Sequence, residues 1–202
     1  MKLRTLFAGI ALSFLLCTGW TVDPQIYFSR KDPVAKVLVR EINAARKSIH
    51  VLMYSITDKE LGDALVAAAA RGVDVRIVLD RSQSAERNSI AHDLAQRLGS
   101  DRVIFRTGKG RGVMHQKLAI YDGLTVTLGS YNWTNNARTN NWENLIVVRD
   151  ARVAQESLQE FRRIWLSSEP KSSTSSKAKS QTNAGSEIPG EKSRKNQKAN
   201  TR

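Results

Sequence analysis

Four polar side chains interrupt an apolar alternation in the stretch HQKLAIYDGLTVTLGSYN. His115 and Lys117 are two residues apart, as are Ser130 and Asn132, and side chains at this spacing share one face of a strand. The Asp-Gly dipeptide between the two pairs is a strong signal for a tight hairpin turn. A hairpin would bring an imidazole, an ammonium, a hydroxyl and an amide around one point.

This combination of groups suits the binding of a phosphate. An ammonium neutralises phosphate charge, and a hydroxyl and an amide donate hydrogen bonds to its oxygens. A histidine can act there as nucleophile or as base. Gly129, just before the second pair, would let the backbone approach a ligand closely. On pair geometry alone, the alternative is a partly exposed hairpin with ordinary polar residues.

The chain around this hairpin alternates strand and helix patterns. Predicted strands cover 26–29, 48–55, 73–80, 103–106, 115–121, 125–128 and 144–148, and predicted helices cover 33–47, 58–71, 85–98 and 151–166. The strand–helix alternation of the first half favours parallel strands joined by crossover helices. The predicted fold class is therefore α/β, with a mixed, mostly parallel β-sheet of six or seven strands flanked by helices on both faces.

The N-terminal segment, residues 1–21, is typical of a signal peptide. Lys2 and Arg4 precede the apolar run LFAGIALSFLL, which is too short to span a bilayer. We expect a periplasmic or secreted protein with no stable membrane insertion after the signal is removed; an uncleaved N-terminal anchor is the alternative. Cys17 is the only cysteine, so the mature protein would have no disulfide or cysteine metal site.

The C-terminal segment, residues 167–202, is predicted to be a disordered basic tail. It is rich in Ser, Lys, Asn, Gln and Gly and has one large apolar residue, Ile188. The folded domain is assigned to residues 22–166, which carry a net charge of +6 out of the whole chain's +13. Such an excess favours a polyanion partner, nucleic acid or an anionic membrane surface, although charge also keeps proteins soluble.

The spacing H-x-K-x4-D-x6-G-S-x-N resembles the signature of the phospholipase D superfamily. The positions that match it are His115, Lys117, Asp122, Gly129, Ser130 and Asn132. Glu143 matches a further acidic position of the family, and the resemblance extends over residues 26–166. The chain is most similar to the small, secreted, single-motif bacterial endonucleases of the Nuc type.

This resemblance implies covalent catalysis on phosphodiesters with no metal and no cofactor. One motif histidine forms a phosphohistidine, and a second histidine protonates the leaving oxygen and then activates water. Because this chain has a single motif, the resemblance implies a homodimer whose active site is shared across the two-fold axis. The implied catalytic residues are His115, Lys117, Asp122 and Glu143, and the implied phosphate-binding residues are Lys117, Ser130 and Asn132.

Two of these acidic residues have alternatives. Glu143 is predicted to hold a histidine Nδ1–H, in its own or in the partner chain, and could instead be a solvated acid at a strand end. Asp122 lies in the turn, where a structural role in fixing the hairpin is the alternative to substrate contact.

The remaining candidates are weaker. His50 is predicted to be a core residue and His92 a surface residue. The basic loop GKGRG, residues 108–112, could follow a nucleic-acid backbone or be a plain connector. Trp133 or Trp142 could stack a base or pack in the core.

The leading function is phosphodiester cleavage in DNA, with RNA as a further substrate. A phospholipase D or cardiolipin-type lipid hydrolase with the same site chemistry is the alternative. A nucleic-acid-binding protein without catalysis is a third hypothesis, which the complete motif disfavours.

Overall fold

The computed structural model describes residues 23–167. The predicted signal peptide lies outside this range, as does the predicted tail apart from Ser167. The elements are β1 Gln25–Phe28, α1 Val34–Ala44, β2 Ser48–Met53, α2 Lys59–Ala70, β3 Asp74–Asp80, α3 Arg81–Ser84, α4 Ala91–Leu98, β4 Val103–Arg106, β5 Lys117–Tyr121, β6 Thr125–Gly129, α5 Asn135–Thr139, β7 Asn144–Arg149 and α6 Ala151–Trp165.

The strands form one seven-stranded sheet in the order β1-β7-β6-β5-β2-β3-β4. The predicted α/β fold with a mixed sheet is confirmed. The detail "mostly parallel" is wrong, because only β2–β3 and β3–β4 pair in parallel and the other four pairings are antiparallel. The physical reason lies in two strands: β1 pairs with β7 rather than β2, and the β5–β6 hairpin docks antiparallel against β2.

Helices cover both faces of the sheet, as the sequence predicts. Successive residues of β2 point to opposite faces. Val51 joins the core beneath α1, α2 and α4. Leu52 joins a second cluster beneath α6, together with Phe161 and Ile164. The hairpin is therefore held between two layers of helices.

One predicted helix differs from the structure. The pattern over 85–98 predicts a continuous helix, but α4 begins only at Ala91. The short α3 ends at Ser84, and the residues between the two helices are not helical. Asp80 caps α3 by accepting hydrogen bonds from the backbone N–H groups of Ser82 and Gln83. Ser89 Oγ accepts a hydrogen bond from the N–H of Ala91 at 3.2 Å, which favours the beginning of a new helix at Ala91.

Within residues 23–167, no helix combines the length and the apolar character that a bilayer crossing requires.

Candidate active site

The open ends of β5 and β6 bring the two polar pairs together. Leu118 pairs with Leu128 across the hairpin, so the residues just before β5 and just after β6 lie side by side. They line one solvent-open depression of about 530 Å³, whose walls are His115, Lys117, Gly129, Ser130, Asn132 and Asn144. The structure thus places four predicted site side chains around a common space.

His115 presents an accessible imidazole to this depression. Its ring lies against Tyr54, with ring centroids 4.5 Å apart and planes inclined by 60°. Within the described part of the chain, no hydrogen bond occupies either ring nitrogen. The imidazole is therefore oriented by an aromatic neighbour while its nitrogens stay available to a ligand.

Lys117 is held beside the same aromatic ring. Its Nζ donates to the carbonyl oxygen of His115 at 2.8 Å and lies 4.8 Å from the centre of the Tyr54 ring. Burial lowers the pKa of Lys117 from its ordinary value, and the Glu143 carboxylate opposes this effect. Lys117 therefore places a positive charge in the depression, where the negative charge of a bound phosphate would need compensation.

Tyr54 is a site residue that sequence reasoning missed. It follows β2, the strand that pairs with β5, and its backbone N–H donates to the Gln116 carbonyl at 2.9 Å. The available signal was an aromatic at the end of the strand SIHVLMYS, but its position beside His115 depends on the β2–β5 pairing.

Glu143 orients the Ser130 hydroxyl in the wall of the depression. Its carboxylate accepts hydrogen bonds from Ser130 Oγ and from Asn141 Nδ2, the latter at 3.0 Å. The Ser130 hydroxyl oxygen in turn accepts from the backbone N–H of Asn144 at 3.1 Å. Among residues 23–167, no hydrogen bond joins Glu143 to His115 of the same chain. Contact with a histidine of a partner chain stays a prediction.

Gly129 is required by the close approach of a neighbouring strand. Its φ is +154°, and a Cβ at this position would lie 2.4 Å from the backbone oxygen of Asn144 and 2.7 Å from its Oδ1. Any larger residue would displace Asn144, which lines the depression and accepts a hydrogen bond from the Ser130 N–H at 3.1 Å. Gly129 therefore allows Asn144 of β7 to lie close to β6 and to line the depression.

Asp122 does not line the depression with the other motif residues, and its catalytic role stays a prediction that this placement does not support. It sits at the far end of β5, about 16 Å along the strand from Lys117. Its carboxylate accepts hydrogen bonds from the backbone N–H groups of Arg46, Lys47 and Ser48. Burial opposes ionisation, but these backbone donors outweigh it and hold the pKa of Asp122 below its ordinary value. The structural alternative is the one that the geometry supports.

Asp80 is a second residue that sequence reasoning missed. It is fully buried, and besides capping α3 it accepts a hydrogen bond from the N–H of Met114 through Oδ2 at 2.8 Å. Met114 directly precedes His115. Asp80 therefore ties the end of β3 to the segment that carries the imidazole.

Comparison with known proteins decides the family. A family model described as "Cardiolipin synthase, PLD-like domain" matches residues 38–165. The chain belongs to the phospholipase D superfamily.

Relatives of this superfamily member include proteins with different names. The chain is 36% identical over 143 residues to "Phospholipase D" of Rickettsia bellii (strain RML369-C), covering 69% of this chain and 66% of that protein. It is 34% identical over 133 residues to "Mitochondrial cardiolipin hydrolase" of Mus musculus, covering 66% and 58% respectively. The match thus spans less than two thirds of the length of either relative.

Two solved structures confirm the resemblance to the Nuc type. The phospholipase D family member Nuc from Salmonella typhimurium shares 31% identity and superposes with a TM-score of 0.64, over 72% of this chain and 95% of that chain. NucT from Helicobacter pylori shares 25% identity with a TM-score of 0.65, over 72% and 96%.

The other histidines of this phospholipase D-like chain lie elsewhere. The ring of His50 packs edge-on against Phe161 at 4.8 Å between centroids, and the ring of His92 lies 5.1 Å from that of Phe105. Within residues 23–167, no three His, Cys, Asp or Glu side chains are grouped as metal ligands. His115 is the one described histidine that lines the depression.

The two tryptophans near the site differ completely in exposure. Trp133 is 1% exposed and belongs to the main core. Trp142 is 80% exposed, and the Arg30 guanidinium lies 4.9 Å from the centre of its ring. Of the pair, only Trp142 is available to stack a base.

The basic loop forms one wall of a groove that leads to His115. The loop is closed by a hydrogen bond from Gly108 N–H to the Gly112 carbonyl at 3.0 Å. The groove has a volume of about 490 Å³, and Lys109, Arg163 of α6 and His115 are among the residues that line it. His115 therefore lines both the groove and the depression.

Proposed function

We propose that this protein is a metal-independent phosphodiesterase that cleaves nucleic acid through a phosphohistidine at His115. The observation that carries the proposal is the convergence of an imidazole, an ammonium, a hydroxyl and an amide on one open depression. Lys117 compensates the phosphate charge, Asn132 binds its oxygens, and Ser130 does so when its hydroxyl turns from Glu143 to the phosphate.

The reaction proceeds in two displacements at phosphorus. His115 Nε2 attacks, a P–N bond forms, and the P–O bond breaks as the leaving oxygen takes a proton from a second imidazole. That imidazole then accepts a proton from water, whose oxygen attacks phosphorus and breaks the P–N bond. The second step returns both imidazoles to their starting forms.

The second imidazole is proposed to come from another copy of the chain. His50 and His92 pack against aromatic residues away from the depression, so a single chain brings His115 alone to it. A C2 homodimer would place two copies of His115 across the axis, with two sets of Lys117 around one phosphate.

Three features favour nucleic acid as the substrate. Residues 22–166 carry a net charge of +6, and Lys109 lines the groove that reaches His115. Both solved structures reported above are named Nuc or NucT. Export to the periplasm or beyond is proposed from residues 1–21 alone.

Lipid hydrolysis is the second candidate. Two relatives carry the names "Phospholipase D" and "Mitochondrial cardiolipin hydrolase". Val113, at the groove beside His115, is 42% exposed, and such a residue could contact a lipid chain.

The test compares substrates in the absence of free metal. We expect the purified protein, in excess EDTA, to cleave plasmid DNA and single-stranded RNA faster than it hydrolyses cardiolipin vesicles. Cleavage of nucleic acid that disappears in EDTA and returns only with Mg²⁺ would contradict the mechanism. Hydrolysis of cardiolipin alone would favour the second candidate.

Variants of the proposed machinery extend this test. His115→Ala should lower the rate by more than the ~10²–10⁴-fold typical of general acid–base catalysis, because nucleophile and acid are lost together. Lys117→Ala should also be severely impaired, since phosphate charge is left uncompensated. The matched control is His92→Gln, which removes a histidine on α4 and should keep full activity. An active His115→Ala protein would rule out the phosphohistidine.

A further inference from the structure

A second cleft adjoins the depression and shares Asn132 with it. Its volume is about 360 Å³, and none of its lining side chains is charged. Side-chain amides dominate the walls, contributed by Gln83, Asn88, Asn132, Asn135, Asn136 and Asn141. We call this space the amide cleft.

Three separate segments build the amide cleft, and backbone hydrogen bonds fix them to one another. In the segment after β2, Thr57 Oγ1 accepts a hydrogen bond from the Asn135 N–H at 3.2 Å. The Thr57 N–H also donates to the Trp133 carbonyl at 2.9 Å. On the other side, Ile90 N–H donates to the Ile56 carbonyl at 3.2 Å. The cleft is therefore a preformed part of the fold.

Several polar groups of the cleft have no protein partner. Among residues 23–167, no hydrogen bond engages the side-chain amides of Gln83, Asn88 and Asn135. The Oδ1 atom of Asn132 is buried and also lacks a partner. A buried acceptor without a partner is costly, so the protein itself does not fully satisfy the polar wall at Asn132.

The chemistry of these walls selects among the parts of a phosphodiester substrate. A phosphate would need a cation, and an acyl chain would need apolar walls. A nucleobase carries adjacent donors and acceptors on its edges, and Asn and Gln amides match such edges because each offers both kinds of group. The shared Asn132 places this chemistry next to the proposed site of the reacting phosphate.

We propose that the amide cleft binds the nucleobase next to the scissile phosphate. This inference rests on the proposed nuclease function and adds a substrate subsite to it. The phosphate binds in the cationic depression, and the base turns into the uncharged cleft beside it. The base thereby contributes to transition-state binding, although it takes no part in the chemistry.

The experiment compares a base-containing ester with a base-free one. The substrates are thymidine p-nitrophenyl phosphate, as its 3′ and 5′ esters, and methyl p-nitrophenyl phosphate, which release the same chromophore. The variants are Gln83→Ala, Asn88→Ala and Asn135→Ala, tested in the full-length protein. Gln96→Ala, an exposed amide on α4 outside the cleft, is the matched control.

We expect each cleft variant to lower kcat/KM for at least one thymidine ester by roughly 2- to 10-fold, the value of one neutral hydrogen bond. The base-free ester should be hydrolysed at an unchanged rate by all variants, and Gln96→Ala should match wild type on every substrate. Circular dichroism establishes that the variants are folded.

Two results would overturn the base subsite alone. Equal losses on the thymidine and methyl esters would show that the amides support the catalytic depression, and unchanged rates on all esters would show that the base binds elsewhere. A wild-type protein that hydrolyses cardiolipin but neither nucleotide ester would overturn the proposed function together with the subsite.

Discussion

Lys117 shows how single residues of the site are tuned by their neighbours. A carbonyl and an aromatic ring hold its ammonium in place, and partial burial lowers its pKa. Glu143, which orients Ser130, also supplies the negative charge that opposes this lowering. The same carboxylate therefore contributes to hydrogen-bond geometry and to the charge state of the lysine.

Glu143→Gln should lower the pKa of Lys117. Removing the carboxylate removes the effect that raises this pKa, so the ammonium is lost at lower pH. An NMR titration of the lysine side chains measures this shift, with Lys117→Arg to assign the signal and Glu156→Gln on α6 as an exposed control. An unchanged pKa of Lys117 would show that Glu143 acts elsewhere, as the sequence predicts for a histidine of its own or of the partner chain.

At the scale of elements, the β5–β6 hairpin has a different role at each of its ends. The open end carries the site residues, and the turn end is tied to the chain between α1 and β2 through Asp122. Asp122 also has a positive φ of 54°, a conformation that Asp and Asn tolerate better than most residues. One motif position thus stabilises the hairpin while the others face the substrate space.

Asp122→Ala should lower the free energy of unfolding by about 2–3 kcal/mol, since three backbone donors lose a charged acceptor. Asp122→Asn keeps the favourable backbone conformation and one acceptor oxygen, so its loss should be smaller. Urea denaturation measures both losses, and kcat should stay within about twofold of wild type in the folded proteins. A hundredfold fall in kcat without a stability loss would instead support the catalytic assignment of Asp122.

At the scale of the whole molecule, the proposed chemistry needs more than one chain. The mechanism requires two imidazoles at one phosphate, and among the described histidines His115 is the one that lines the depression. Under this proposal assembly and catalysis are coupled, and a defective chain should inactivate the partner with which it pairs.

Mixing wild-type and His115→Ala chains tests this coupling. With free subunit exchange at a 1:1 ratio, about a quarter of the dimers are wild-type homodimers. The mixture should therefore show about a quarter of the activity of wild-type protein at the same total chain concentration. Mixing with His92→Gln chains is the control and should leave activity unchanged. Activity near one half, or full activity from a protein that light scattering shows to be monomeric, would mean that each chain works alone.

The sequence by itself determined the local parts of this protein. The alternation of His115, Lys117, Ser130 and Asn132 with apolar residues specifies a hairpin with a polar end, because strand periodicity and turn chemistry are local properties. The strands and the longer helices follow from the same periodicities, but the short helices α3 and α5 and the late start of α4 at Ala91 do not. The Nuc-type resemblance also rests on short-range spacing.

Only the tertiary structure decided which of these parts meet. Hydrophobic periodicity shows that a face is buried, but it does not identify the strand or helix that buries it, so the β1–β7 pairing and the antiparallel majority of the sheet were not predictable. The same pairings place Tyr54 beside His115 and carry Asp122 away from it. They also close the amide cleft from three segments that are separate in sequence. Contacts between distant segments depend on the packing of the whole sheet, and this information is not contained in any single stretch of the chain.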